Sequence, residues 1–385
     1  MTEKLYYLDS HLQEFTAKVV DCEYDERGFL ITLDKTAFFP EGGGQQPDTG
    51  YIGPARVIDV QEKDGIIRHL CEEPLPMGIE ILCRIDWDVR FRRMQSHSGE
   101  HIVSGVAHRL YGCENVGFHM GEDAITIDLN IDLSWEQLKE VERHANLAIW
   151  SDLPVKAWLP SDEELEHMYY RSKMELKERV RVVRIEGYDS CACCAPHVNH
   201  TGEIGIIKLL DSQRHRGGTR ITMLCGQDAY WDYVRKQESV TEISQLLSAK
   251  RDEVAPAVQR ILKDQQAMRE KCDKLSMELV RVKAESVEKT DGNICLFDSV
   301  LDEIAQRELV NQLMEKCEGL AAVFCGNEED GWRYIIGSKN IDLRANSKAI
   351  NEAIEGRGGG SAQMIQGMST GKKEAIEASL KTLSL

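Results

Sequence analysis

His97-Ser98-Gly99-Glu100-His101 is the stretch from which the rest of the chain is read. On an α-helix, positions i and i+4 share a face, so both imidazoles reach one ion, the geometry of a zinc-binding helix. Much later, Cys193-Cys194-Ala195-Pro196-His197 sets a thiolate and an imidazole four positions apart. Three imidazoles and one thiolate make a nitrogen and sulfur set that suits one Zn2+ per chain. Pro196 does not fit inside a regular helix, so this segment reads as a tight loop. Cys191, Cys193 and Cys194 are all possible donors, and spacing alone does not choose among them. Either half alone has a plain structural reading, a solvated histidine pair or a buried or redox cysteine cluster.

Outward from this core, Asp88 to Tyr111 reads as the helix that carries the two histidines. Ser134 to Trp150 reads as a second helix, with Ser134 and Gln137 spaced for a capping box. Strand-like runs follow at Arg181 to Ile185, Glu203 to Leu210 and Thr219 to Cys225. Before them, Phe15 to Cys22, Gly28 to Leu33, Ala55 to Val60 and Ile79 to Ile85 are short strands between turn residues, the pattern of a small barrel or sandwich. The glycine-rich loop Pro40 to Gln45 interrupts these strands. An apolar seam runs from Val240 to Val282 in steps of three, four and seven, with Gln265 its one polar member. Pro256 places a helix start near Val254. The seam fits either a helix hairpin buried within the chain or a homodimeric coiled coil over 236–286. Ile294 to Phe297, Ala321 to Cys325 and Tyr334 to Ile336 alternate with helical stretches. A second glycine-rich loop is expected at Gly356 to Ser361.

These readings predict an α+β chain. Its expected parts are a barrel-like domain at 1–86, a zinc-containing domain at 87–230, a helical segment at 231–288 and a small α/β domain at 289–385. Hydrophobic residues make up 42% of the 385 residues and charged residues 29%, which supports a sizeable core and argues against a disordered chain. No apolar run nears the ~20 residues of a membrane-spanning helix. The opening residues lack the order of a secretory signal. The 12 cysteines therefore read as reduced thiols of a cytoplasmic protein. A net charge of −18 disfavours non-specific coating of nucleic acid, while leaving room for local basic patches.

The order of motifs resembles a known family. The loop Thr36-Ala37-Phe38-Phe39-Pro40-Glu41-Gly42-Gly43-Gly44-Gln45, then His-x3-His, then Cys-x3-His, is similar to the editing domain of alanyl-tRNA synthetase and to its free-standing relatives, the alanyl-tRNA editing proteins (AlaX type, long form). His197 to Gly205 continues the likeness. Gly218-Thr219-Arg220-Ile221 resembles the Gly-x-Arg-Arg-Ile segment of the synthetases. Gly356 to Gly367 is similar to their glycine-rich C-terminal domain. No segment looks like an amino-acid-activating domain. One departure is Cys-Cys-Ala-Pro-His, where the synthetases usually carry Cys-Gly-Gly-Thr-His. The outer pair is kept, so the resemblance implies His97, His101, Cys193 and His197 as metal ligands.

The resemblance also implies zinc-dependent trans-editing, the hydrolysis of tRNA(Ala) mischarged with serine or glycine. A pocket built for a methyl group rejects an added hydroxyl only about a hundredfold, so a second site is needed. The glycines Gly42, Gly43 and Gly44 with Gln45 are expected to polarise the ester or hold the terminal ribose, and Thr36 to contact the serine hydroxyl. Arg90, Arg92, Arg93, Arg216, Arg220 and Arg357, with Gly358, Gly359 and Gly360, are the expected tRNA contacts. Taken alone, each basic cluster reads as a solvated face. Glu100 reads as a solvated or ion-paired side chain more than as a general base. Two alternatives compete: a tRNA(Ala)-binding protein with a closed structural zinc, and a zinc peptidase of the inverted H-x-x-E-H type. A DHH-type phosphoesterase lacks its Asp-His-His motif here.

Overall fold

Apolar and polar residues alternate through the first long strand, Glu14–Asp25 (β1), and send Phe15, Ala17 and Val19 to one buried face. The computed structural model, which describes residues 1–121, 123–172 and 180–383, continues with Gly28–Leu33 (β2), Gly50–Ile52 (β3), Ala55–Lys63 (β4), Ile66–Cys71 (β5) and Glu80–Ile85 (β6). These six close into a ring in the order β1-β2-β5-β4-β3-β6 and back to β1. Register shifts at Val19/Asp21 and Val57/Asp59 bend two of the longer strands. Ile31, Phe38, Ile52, Val57 and Ile67 fill the ring. The sequence reading missed β3 and β5. One has only three residues, and Arg68 and His69 break the apolar run of the other.

His69 sits fully buried inside this ring, with Nδ1 2.9 Å from the Ile31 carbonyl and Nε2 2.9 Å from Thr36 Oγ1. Burial pushes its pKa down to about 4. The unfolded chain therefore binds the extra proton first, and stability is lost as pH falls from the ordinary histidine value toward 4. The full effect is about 3 kcal/mol. Denaturation followed between pH 7 and pH 4 should show this loss in the wild type and a shallower one in His69→Gln. Parallel slopes would assign the acid sensitivity elsewhere.

The helix Trp87–Tyr111 (α1) follows directly. Gly112, in the left-handed conformation at φ 67°, ends it by donating to the His108 carbonyl at 2.8 Å. Met94 through Ala107 are buried without a break, so α1 is covered on every side. Small residues make this possible. A Cβ on Gly99 would stand 2.4 Å from Cys225 Sγ, and one on Gly105 2.3 Å from the Tyr188 carbonyl oxygen.

Around α1 lie Asn115–Met120 (β7), Ile125–Leu129 (β8), the helix Trp135–Trp150 (α2), Val155–Trp158 (β9), Val182–Ile185 (β10), Asp189–Ala192 (β11), Ile207–His215 (β12) and Gly218–Cys225 (β13). The strands form two antiparallel sheets, β12-β13-β8-β7 and β9-β10-β11. The Ser134 and Gln137 capping box of α2 is present. Residues 203–206, read as the start of a strand, are instead the end of a 3-10 turn, Thr201–Ile204, and its exit. Gly205, at φ 78°, sets that exit. Ala195 packs with the ring interior and Val198 with the α1 core, so the Cys-His loop joins the two.

The chain divides into two compact units, Met1–Thr241 and Glu242–Leu385. The helix Gly226–Leu246 (α3) carries the boundary. In the second unit, Val254–Ser286 (α4) begins with Pro256 in its first turn, as expected. Its last turns bury Val280 and Ala284 against Leu309, Val310 and Leu313. Of the seam residues on α4, Val258, Ile261, Met268, Leu275, Leu279 and Val282 are exposed and Val254 is half-buried.

Ile294–Asp298 (β14), Glu303–Leu313 (α5), Ala321–Asn327 (β15), Gly331–Gly337 (β16), Leu343–Ala353 (α6), Gly356–Gly360 (β17), Met364–Ser369 (β18) and Lys373–Thr382 (α7) complete this unit around the sheet β14-β15-β16-β18-β17. The glycine run Gly356 to Gly360, expected as a loop, is the edge strand β17. A Cβ on Gly358 would stand 2.2 Å from the Gln366 carbonyl oxygen, and one on Gly360 2.3 Å from that of Met364. The glycines allow two backbones to approach closely, a use that composition alone does not separate from a loop. Among the described residues, no helix is long and apolar enough to cross a membrane.

Candidate metal centre

The one-turn spacing on α1 sets the His97 and His101 rings side by side, with centroids 5.4 Å apart. The loop after β11 brings Cys193 and His197 to the same point. The donor atoms of His97, His101, Cys193 and His197 all lie within 4.8 Å of one another. Cys193 Sγ is 3.5 Å from His97 Nε2 and 3.4 Å from His197 Nε2. Tetrahedral zinc, with its ordinary bonds to nitrogen and sulfur, separates such donors by about 3.6 Å. The four residues therefore fit a zinc ion by both donor chemistry and spacing.

Each imidazole has its second nitrogen engaged. His97 Nδ1 donates to Gln45 Oε1 and His101 Nδ1 to Asp189 Oδ2, both at 2.9 Å, and His197 Nδ1 pairs with Ser98 Oγ at 2.9 Å. All three rings thus turn Nε2 toward the common centre, the usual outer arrangement of a histidine metal site. Burial opposes the Cys193 thiolate, but the flanking imidazoles overcome it and hold the thiol well below its usual range. Burial likewise opposes the His101 imidazolium, and Asp189 with Cys193 overcomes it, raising His101 well above the ordinary value. His197, dominated by burial, is lowered to about 3.

Geometry sets the three candidate thiols apart. Only Cys193 joins both His97 and His197. Cys191 is buried beside His101 and Asp189, in a second close group. Asp189 there is already engaged, because its Oδ1 accepts from Arg171 Nε and Nη2 at 2.8 Å. Cys194 is exposed and faces the glycine turn, so a Cβ on Gly43 would lie 3.7 Å from its sulfur.

Gln45 departs from its expected place on the substrate. It is 1% exposed and orients His97. Gly42 and Gln45 exchange backbone hydrogen bonds at 3.1 and 3.0 Å around Gly43 and Gly44, whose φ angles are 59° and 82°. Such a turn needs positive φ at both central positions, which glycine supplies. Gly43 and Gly44 line a cleft of about 520 Å3 with His97, Glu100, His101, Phe118, Arg181 and Cys193. Arg181 donates to the Cys193 and Ala195 carbonyls at 3.1 and 2.9 Å and steadies the ligand loop. Thr36 does not line this cleft. It is fully buried, and its hydroxyl pairs with His69 and accepts from the Phe38 N–H.

The basic residues separate in the same way. Arg90 is fully buried on Asp48 and is not a surface contact. Arg93 donates to Gln46 Oε1 and the Pro47 carbonyl, Arg92 pairs with Asp228, and Arg220 is bidentate on Asp128. Arg216 and Arg357 are exposed, the first at a hairpin turn and the second on β17, beside Gly358 to Gly360.

Asp189, Ser98 and Arg181 were not picked out by sequence reasoning. Asp189 lies outside every motif, and pairing through β11 is what brings it to His101, whereas Ser98 sits within the His97–His101 stretch and engages His197. Asp189→Asn is expected to keep the fold and weaken zinc about 10- to 100-fold, read by competition with a chelating dye. Unchanged affinity would remove Asp189 from the support of His101.

Residues 180–261 match the family described as threonyl and alanyl tRNA synthetase second additional domain, and residues 6–89 match tRNA synthetases class II (A). An alanine–tRNA ligase of Pyrococcus abyssi is 31% identical over 99% of this chain and 44% of its own length. The alanyl-tRNA editing protein AlaX-L of Pyrococcus horikoshii is 27% identical over 98% of this chain and 96% of its own. The alanyl-tRNA editing protein Aarsd1 of Mus musculus is 27% identical over 96% and 95%. The chain thus spans less than half of the ligases it matches and nearly all of the editing proteins. It is a relative, along almost its whole length, of the alanyl-tRNA editing proteins and of the alanine–tRNA ligases.

Proposed function

We propose that the chain is a trans-editing hydrolase that deacylates mischarged tRNA(Ala), chiefly seryl-tRNA(Ala) and also glycyl-tRNA(Ala), at a zinc site. The observation that carries this reading is the tetrad, with all three Nδ1 atoms engaged, opening on a cleft walled by the Gly43-Gly44 turn. His97, His101, Cys193 and His197 would hold the zinc ion, which would supply Lewis acidity toward the ester carbonyl. The chain supplies the rest. The glycine turn admits the ester without a Cβ in its way, Phe118 gives an apolar wall, and Arg181 holds the ligand loop in register. Arg216, Arg357 and the glycine edge of β17 are the exposed features suited to tRNA phosphates. A second copy of this chain fits the exposed seam of α4, and sedimentation would show a dimer that polar substitutions at Ile261 and Met268 dissolve.

One observation favours a second reading. Four protein donors fill the shell of a tetrahedral ion, as in structural zinc sites. On that reading the protein binds tRNA(Ala) without cleaving it. The peptidase reading leaves the Cys193 thiolate within the tetrad unexplained. Deacylation of seryl-, glycyl- and alanyl-tRNA(Ala) by the zinc-loaded protein separates them. Cleavage of the seryl ester with sparing of the alanyl ester supports the editor. Binding without cleavage of any ester supports the closed structural site.

A further inference from the structure

The two sides of α4 differ. Val280 and Ala284 pack it onto α5. On the other side Val258, Gln265, Cys272 and Leu279 recur every seven residues, and Ile261, Met268, Leu275 and Val282 follow each of them by three. All of these are exposed. Such a repeat is the seam by which one helix packs along another. The seam is flanked by charge. Asp264, Lys271 and Glu278 border it on one side, and Arg269, Ser276 and Lys283 on the other.

These flanks discriminate between the two ways of laying a second copy of α4 along the first. In a parallel, in-register pair, each residue of the first flank meets the one five positions further along the other copy. Asp264 then meets Arg269, Glu278 meets Lys283, and Lys271 meets the neutral Ser276. Lys283 also bonds Asp298 of its own chain at 2.7 Å, so its charge is shared between two carboxylates. In an antiparallel pair at full overlap, Asp264 meets Glu278, and Arg269 and Lys271 each meet their own counterpart. Both charged pairs of the first arrangement attract, and every charged pair of the second repels. We infer that two copies of this chain join through α4 as parallel, in-register helices. This rests on the dimer reading above and deepens it. Gln265 meets its counterpart in the seam, and a polar residue there disfavours shifted registers. Cys272 meets its counterpart one heptad on. Both C-terminal sheets then lie at the same end of the pair.

The test is sedimentation of the wild type, followed by disulfide trapping in full-length Cys272→Ser protein. Sedimentation should give twice the chain mass. Val258→Cys in that background should then link to its own copy. The linking oxidant is diamide, which takes up the two thiol hydrogens as the S–S bond forms, and reduction should return the single chain. Cys272→Ser alone, run beside it, shows what the other thiols contribute. In the antiparallel pair the two Val258 positions stand about 36 Å apart by the helical rise, far beyond a disulfide. There Val258→Cys links only in a mixture with Val282→Cys. Linking in the mixture alone overturns the parallel arrangement and leaves the dimer reading standing. A dimer in which neither link forms joins through another face and overturns the inference. A wild type that stays monomeric at its highest soluble concentration overturns the dimer reading and this inference with it, a result that needs no variant to fold.

Discussion

Cys193→Ala is expected to lose zinc and deacylation together. The thiol lies against both His97 and His197, and its lowered pKa makes it the anionic member of the set. Three imidazoles remain in the variant. They keep their orientation, because Gln45, Asp189 and Ser98 hold them independently of the sulfur. The variant should therefore fold, purify with less than one zinc per chain and hydrolyse seryl-tRNA(Ala) no faster than buffer. Atomic emission and a filter-based deacylation assay read the two losses separately. A metal-free Cys193→Ala with full activity would remove the metal from the reaction. A zinc-replete variant without activity would place the sulfur in the chemistry instead of the ion's retention. Neighbouring thiols provide the control: Cys194→Ala, outside the tetrad, should keep the metal.

Arg90→Ala should be the most destabilising single change at a residue first read as an RNA contact. The guanidinium donates from Nε to both oxygens of Asp48 at 2.9 Å, from Nη1 to the Ser10 carbonyl at 3.1 Å and from Nη2 to the Ala37 carbonyl at 2.5 Å. Asp48 in turn accepts from the Phe39 N–H at 2.6 Å. One side chain thus ties α1 to the loop that ends in the glycine turn. Removing it leaves a carboxylate at 1% exposure without its countercharge. Breaking a buried pair from one side costs about 3–5 kcal/mol. Denaturant unfolding of the first unit should show that loss. Arg357→Ala should leave the same transition where it was and reduce the salt dependence of tRNA binding. An Arg90→Ala protein of wild-type stability and weakened tRNA binding would restore the surface reading.

Much of the candidate ligand set was legible because its information is local. A spacing of four on a helix and four across a proline loop places donors within a few ångströms wherever those segments sit. Helix boundaries were legible for the same reason, since Ser134 caps α2 through Gln137 and Pro256 starts α4. The roles of single polar residues were not local. Arg90 and Arg216 have the same side chain in charged stretches, yet one is sealed against Asp48 and the other is exposed at a turn.

By itself, the sequence determined an α+β chain, the two halves of a nitrogen and sulfur tetrad, and a likeness to alanyl-tRNA editing proteins that the comparisons bear out. Only the tertiary structure showed that Cys193 is the thiol set against His97 and His197, that Asp189, Gln45 and Ser98 engage the imidazoles' second nitrogens, that the second glycine run is a strand, and that Glu100 lines the cleft. The reason is physical. Ligand spacing is set by backbone geometry within one turn, whereas a tautomer, a buried charge or a close strand approach is set by whatever the fold brings against it from far along the chain.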